Sequence, residues 1–138
     1  MRIFLDANVL FSAGKSDGAV RQLIDLLIAA GHECVADAYV VEEARRNLAM
    51  KSAPQVASLT RLLQRLEVSR LHPQMPAAPA LIALPEKDRP VLAAAIALGC
   101  AALVTGDRTH FGQFYGKELA GVRIHSPRSL AEALLPPT

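Results

Sequence analysis

A small set of acidic residues carries whatever chemistry this chain performs, and their placement along the chain says what that chemistry is. Asp6 closes the apolar run Ile3-Phe4-Leu5, which is too short for a helix and reads as a strand buried on both faces. Asp107 lies just beyond a second such run, Ala-Ala-Leu-Val-Thr-Gly, where Gly106 lets the backbone turn sharply. Ligands of an open parallel sheet bind outside the carboxyl ends of its strands, so both acids sit where an α/β fold reacts. Asp88 stands before Arg89-Pro90 at the head of an Ala-rich helix and shares a face with Leu92 and Ala95. Glu42 and Glu43 are adjacent on another helix. At about 100° per residue, Glu43 lies nearer the apolar flank and Glu42 nearer solvent, and the difference is small. Each acid also has a plainer reading. Asp6 and Asp88 suit helix N-caps, and Gly106-Asp107 suits an ordinary turn.

Gathered in one pocket, three or four carboxylates repel and cannot all ionise without a compensating cation. Oxygen-only ligation suits Mg²⁺ or Mn²⁺. Such ions activate water and steady the leaving oxygen in phosphodiester cleavage. Zinc and dithiol chemistry are not written into the chain. None of the four His residues has zinc spacing, and Cys34 and Cys100 form no Cys-x-x-Cys pair. Arg108, beside Asp107, is placed to meet a phosphate, although a solvated surface charge accounts for it nearly as well. His110 reads as part of a packed loop before Phe111.

These residues need a scaffold. The spacing predicts a helix over 17–30, with Val20, Leu23, Ile24, Leu27 and Ile28 on one face and Gly31 just past its end. A strand over 33–36 follows. A helix then runs from its N-cap Asp37 to about Met50, with Val41, Ala44 and Leu48 on the core side. Pro54 breaks the chain before a helix over 55–66 and a thin strand over 67–71, near a sheet edge. Residues 72–85 carry four prolines and read as an irregular crossing with one turn of helix around 80–83. An Ala-rich helix over 91–98 ends at Gly99. Strands over 101–105 and 122–124 and a helix over 129–135 complete the chain. Strands alternating with helices predict a mostly parallel sheet of about five strands with helices on both faces.

The chain's 138 residues suit one domain, spanning 1–138, and 51% hydrophobic content allows a sizeable core. Only 4% of residues are aromatic, so that core is Leu, Val, Ile and Ala. No apolar run approaches the ~20 residues of a membrane span. The first strand begins at once with no signal peptide, and both cysteines sit in apolar settings as free thiols, so a cytoplasmic location is expected. The net charge of +2 conceals an uneven distribution. With four acids set aside in a metal site, nine acids face 15 basic residues and leave +6. Eleven of those 15 are arginine, which suits bidentate contact with a polyanion.

Four segments together resemble a known family. Leu5-Asp-Ala-Asn-Val-Leu10, Val40-Val-Glu-Glu-Ala44, Lys87-Asp-Arg-Pro-Val-Leu92 and Leu103-Val-Thr-Gly-Asp-Arg-Thr-His-Phe111 follow the order of a PIN domain. They are most similar to bacterial PIN proteins related to VapC-type ribonuclease toxins, and the likeness runs over nearly the whole chain. It implies a three-layer α/β/α sandwich and Mg²⁺- or Mn²⁺-dependent endoribonuclease activity, as in the toxin of a toxin-antitoxin pair. It assigns the metal-holding, catalytic roles to Asp6, Glu43, Asp88 and Asp107. In the family pattern the helix acid follows two apolar residues and one variable position, which favours Glu43 over Glu42. Asn8 and Thr105 match supporting polar positions. The resemblance further implies RNA as substrate and a homodimer, often held by a cognate antitoxin.

Three rival readings remain in view. An aspartyl-phosphate phosphatase also places an Asp after its first strand and uses Mg²⁺, but it needs a second Asp two residues later, where this chain has Asn8. A receiver-type signalling domain wants paired acids near the first strand and a Lys after the last ones; Asp6 has no acidic neighbour and Lys117 is the one candidate. An RNA-binding PIN-like module without activity has no need of all four acids.

Overall fold

Apolar runs and amphipathic stretches alternate along the chain as strands and helices. The computed structural model describes residues 1–70 and 79–136. Its strands are β1 (Arg2–Leu5), β2 (Glu33–Asp37), β3 (Glu67–Ser69), β4 (Ala102–Val104), β5 (Glu118–Leu119) and β6 (Val122–His125). They form one six-stranded sheet in the order β3-β2-β1-β4-β6-β5. Every neighbouring pair is parallel except β5 with β6. Ile3, Phe4 and Leu5 are wholly inaccessible to solvent. Successive strand side chains face opposite ways, so both faces of the sheet are covered at β1, as a parallel sheet requires.

The helices are α1 (Ala7–Lys15), α2 (Ala19–Ala29), α3 (Ala38–Lys51), α4 (Val56–Leu63), α5 (Arg89–Ala97), α6 (Arg108–Phe111) and α7 (Pro127–Leu134). Their starts follow local chemistry. Asp37 caps α3 by accepting from the Val40 amide at 3.1 Å. Ser126 and Ser129 form a reciprocal capping box on α7, with Pro127 in its first turn. That box starts α7 two residues before the expected 129. Close packing sets the helices on one another: a side-chain carbon at Gly14 of α1 would lie 3.0 Å from Leu48 Cδ1 and 3.1 Å from Leu59 Cβ. Glycine lets α1 approach α3 and α4 this closely without Leu48 and Leu59 having to give way.

Other elements depart from the sequence expectation for identifiable reasons. The helix over 55–66 is shorter. It opens with a 3₁₀ turn at Ala53–Gln55, and after Leu63 the amides of Gln64, Arg65 and Leu66 bond three residues back. The thin strand is a parallel edge strand ending at Ser69; Leu71 and residues 72–78 of the expected crossing lie outside the described residues. The turn expected around 80–83 is a 3₁₀ helix, Pro79–Ala83. The sixth strand, β5, comes from a hairpin in which Ala120 and Gly121 both take positive φ, 51° and 84°. That is the two-residue turn matching strand twist, made here by an Ala-Gly pair that carries little turn signal.

The sheet order contains one switch. From β1 the chain steps outward to β2 and β3, then returns to lay β4 on the other side of β1. Ligand crevices of open α/β sheets form beyond the strand ends at such a switch point, here between β1 and β4. The fold also buries both cysteines, raising the thiols of Cys34 and Cys100 to about 11 by desolvation. Thiolates are the reactive form. Native protein at pH 8 should therefore react negligibly with a disulfide reagent such as Ellman's, while denatured protein should titrate two thiols. Fast modification of the native protein would contradict this burial.

Candidate active site

Pairing of β1 with β4 aligns Leu5 with Val104, so the next residues of each strand, Asp6 and Thr105, emerge side by side. The Asp6 amide continues the ladder by donating to the Val104 carbonyl at 3.1 Å. Asp6 is only 6% exposed. One carboxylate oxygen accepts from the Ala7 amide at 2.7 Å; the other accepts from Thr105 Oγ1 at 2.8 Å and from Asn8 Nδ2 at 3.3 Å. Asn8 Oδ1 in turn accepts from the Gly106 amide at 2.7 Å. Asn8 is thus occupied in holding the two strand ends together, and as an amide it transfers no proton. The phosphatase alternative loses the group it needs.

Asp107 follows at the head of α6. Its amide donates to Thr105 Oγ1 at 3.1 Å, and its Oδ1 caps the helix by accepting from the His110 amide at 3.1 Å. Glu43 reaches the same place from α3. It shares a face with Tyr39, four residues earlier, and the Tyr39 hydroxyl donates to the Lys87 carbonyl at 3.3 Å, tying α3 to the segment that carries Asp88. Asp6, Asn8, Tyr39, Glu43, Lys87, Asp88, Val91 and Asp107 line one cleft of about 140 Å³. Glu42 is exposed and lines a different groove, of about 520 Å³, with Arg45, Arg70 and apolar residues of α3, α4 and β3. The helix therefore turns Glu43, not Glu42, toward the other acids.

Asp88 departs from the cap reading. It ends a 3₁₀ turn, Glu86–Asp88, in helical backbone conformation (φ −96°, ψ −12°) and makes no side-chain cap bond to α5. A cap needs extended backbone to fold its side chain back onto the helix. Leu92 and Ala95, on the same face, are fully buried as expected. Freed from capping, the Asp88 carboxylate points inward, and its Oδ2 is buried with no hydrogen-bond partner. His110, expected to be part of loop packing, reaches the acids too: its Nδ1 lies 2.9 Å from Asp88 Oδ2 and 2.9 Å from Asp107 Oδ2. Only the Asp107 contact has the direction of a hydrogen bond. The signal for it in the sequence was the i, i+3 spacing of Asp107 and His110 at the start of a helix. Arg108, beside Asp107, is exposed.

The electrostatics follow. Burial raises the Asp6 carboxyl to about 6, hydrogen bonds from Thr105 and Ala7 oppose this, and the nearby charges of Glu43 and Asp88 add to it. Burial also raises Asp88; neighbouring His110 and Lys87 lower it while Asp107 raises it. Acids held above their ordinary range by burial and by each other lack positive charge. A divalent cation fits this donor set: Asp6, Glu43, Asp88 and Asp107 line one cleft, ligand atoms of Asp88, Asp107 and His110 lie within 4.8 Å of one another, and one buried oxygen has no donor of its own.

The fold is an α/β sandwich with an acid-lined cleft at the switch point of its mostly parallel sheet. The chain belongs to the PIN domain family, whose model matches residues 2–109. Its fold is similar to VapBC2 from Rickettsia felis bound to a DNA fragment from their promoter, with 17% identity, a TM-score of 0.63, and cover of 91% of this chain and 98% of that one. VapBC-1 from nontypeable Haemophilus influenzae is similar at 13% identity and a TM-score of 0.64, covering 93% and 99%. Mycobacterium tuberculosis VapC20, a sarcin-ricin loop cleaving toxin, is similar at 14% identity and a TM-score of 0.55, covering 88% and 98%. At these identities the likeness is one of fold. No match was found among curated proteins.

The cleft makes a stability prediction at Asp88. Asp88→Asn keeps the side chain's size and removes one of several mutually repelling charges. In EDTA the variant should unfold at the same temperature as wild type or higher. Added Mn²⁺ should raise its melting temperature less than wild type's, because ligand stabilisation follows affinity for the native state. Calorimetry showing Asp88→Asn several degrees less stable without metal would contradict the arrangement described here.

Proposed function

We propose that this chain is a divalent-metal-dependent endoribonuclease of the VapC-like kind, working in the cytoplasm as the toxin of a toxin-antitoxin pair. The observation that carries the reading is the convergence of Asp6, Glu43, Asp88 and Asp107 on one small cleft, with a buried oxygen of Asp88 left without a donor. Family membership and the name of the M. tuberculosis relative support RNA as the substrate class. Residues 1–138 act in this reading as a single nuclease domain.

Each residue has a task. The four acids hold one or two ions of Mg²⁺ or Mn²⁺. Such an ion supplies Lewis-acid activation of water and neutralises charge on the scissile phosphate. Thr105 and Asn8 keep the Asp6 carboxylate turned into the cleft. Lys87 lines the cleft and, with exposed Arg108 beside Asp107, offers positive charge to the phosphates on either side of the cut. Among the described residues, no helix is long and apolar enough to cross a membrane, in keeping with a nuclease that meets RNA in the cytoplasm.

A homodimer and an antitoxin partner belong to the same reading. Leu63, Leu66 and Val68 are only partly buried around the groove between α3, α4 and β3, and β3 is a sheet edge, so apolar surface remains to be covered. Two of the similar structures are VapBC complexes. Light scattering of the purified chain should give twice the monomer mass; a monomer at micromolar concentration would exclude the dimer.

RNA should be cut in Mg²⁺ or Mn²⁺ and left intact in EDTA, with Ca²⁺ binding but supporting little cleavage. RNA binding should weaken as salt rises, because phosphate contacts release counterions. Robust cutting in EDTA by highly purified protein would remove the metal mechanism, and salt-independent binding would remove RNA.

A further inference from the structure

One imidazole nitrogen lies against two of the acids that line the cleft. His110 stands three residues after Asp107 at the start of α6, so its ring folds back over the helix cap. Its Nδ1 is 2.9 Å from both Asp88 Oδ2 and Asp107 Oδ2. One ring nitrogen carries at most one proton. With that proton in place, Asp107 Oδ2 is satisfied and Asp88 Oδ2, which is buried, is not. With a lone pair on Nδ1 instead, neither oxygen has a donor. A cation among the three atoms satisfies all of them at once.

The spacing agrees. A six-coordinate ion with bonds of about 2.1 Å holds adjacent ligand atoms about 3 Å apart. His110 Nδ1 already stands at that separation from both carboxylate oxygens. Asp88, Asp107 and His110 each offer a ligand atom within 4.8 Å of the others. The Asp107 Oδ1 bond to the His110 amide fixes the two side chains relative to each other. We propose that His110 Nδ1 is a direct metal ligand, which makes this a mixed nitrogen and oxygen site that prefers Mn²⁺ to Mg²⁺. The inference rests on the metal-nuclease reading above and sharpens it. Imidazole suits first-row transition ions, whereas Mg²⁺ keeps to oxygen and water. The ring binds as the tautomer protonated on Nε2, which leaves the Nδ1 lone pair for the ion.

The test is spectroscopic. Mn²⁺ is bound to the purified protein and electron spin echo envelope modulation is recorded. Wild type should show ¹⁴N coupling from a directly bound imidazole. His110→Gln should abolish that coupling, which assigns it among the chain's four histidines. The same substitution should weaken Mn²⁺ about tenfold or more, and Mg²⁺ clearly less, measured by calorimetry and competition. Bound Mn²⁺ without nitrogen coupling in wild type overturns the His110 ligand and leaves the four-acid reading standing. Absence of Mn²⁺ binding overturns both. Equal losses of Mn²⁺ and Mg²⁺ affinity overturn the preference. The wild-type spectrum decides the ligand even if the variant folds poorly.

Discussion

The pairing of β1 with β4 is the constraint on which everything else in this molecule depends. Its register aligns Leu5 with Val104, so Asp6 and Thr105 leave the sheet as neighbours and can hydrogen-bond at 2.8 Å. A one-residue slip would turn the side chains of a strand to the opposite face. It would send Asp6 away from the cleft and break the packing of apolar side chains on both covered faces. The register is held from below by the wholly buried Ile3, Phe4, Leu5 and Leu103. It is held from above by Asn8, which bonds Asp6, Thr105 and the Gly106 amide. Apolar packing and a small polar network therefore specify the same alignment.

The second constraint is electrostatic. Folding places carboxylates from the turn after β1, from α3, the segment before α5 and the segment after β4 around a cleft of about 140 Å³. Desolvation is the largest influence on both Asp6 and Asp88, and neighbouring acids add to it. The bonds that Asp6 accepts oppose this but do not cancel it. The chain thus sets acids together in a buried cleft, a conflict with stability that marks functional sites more often than structural ones. Elsewhere charges are arranged as stability asks. At the opposite ends of the strands, Arg2 pairs with Glu33 and Glu67 at 2.9 and 2.6 Å, linking β1, β2 and β3 across solvent-exposed surface, where such pairs contribute little each.

Helix α5 shows how the scaffold serves the cleft. Val91, Leu92, Ala93, Ala94 and Ala95 are all buried, and their small side chains let the helix lie against β4 and β6. That close approach brings Asp88, just before the helix, to within reach of α6, so that His110 meets acids from two separate parts of the chain. Gly14 admits α1 close against Leu48 of α3 and Leu59 of α4.

Much of this was legible in the sequence because the signals are local. Three short apolar strands, their helices and the caps Asp6 and Asp37 depend on residues a few positions apart, and so does the alternation that makes the sheet parallel. The same local logic marked Asp6 and Asp107 as strand-end acids, and the family likeness chose Glu43 over its neighbour. Non-local or conformationally unusual features were not legible. The hairpin of β5 turns on an alanine at positive φ, which composition does not announce. Asp88 has every sequence mark of a cap, yet the preceding 3₁₀ turn sets its backbone in a helical conformation that aims the side chain inward. His110 looked like loop packing because its other partner, Asp88, lies 22 residues earlier, beyond any helical or strand period. The sequence by itself determined which residues are acidic, which stretches are helix or strand, and which acids sit at strand ends. Only the tertiary structure decided that these acids share one cleft and that a histidine meets two of them, because that proximity comes from the switch in strand order at β1 and β4 and from the packing of α1, α3 and α5 around it.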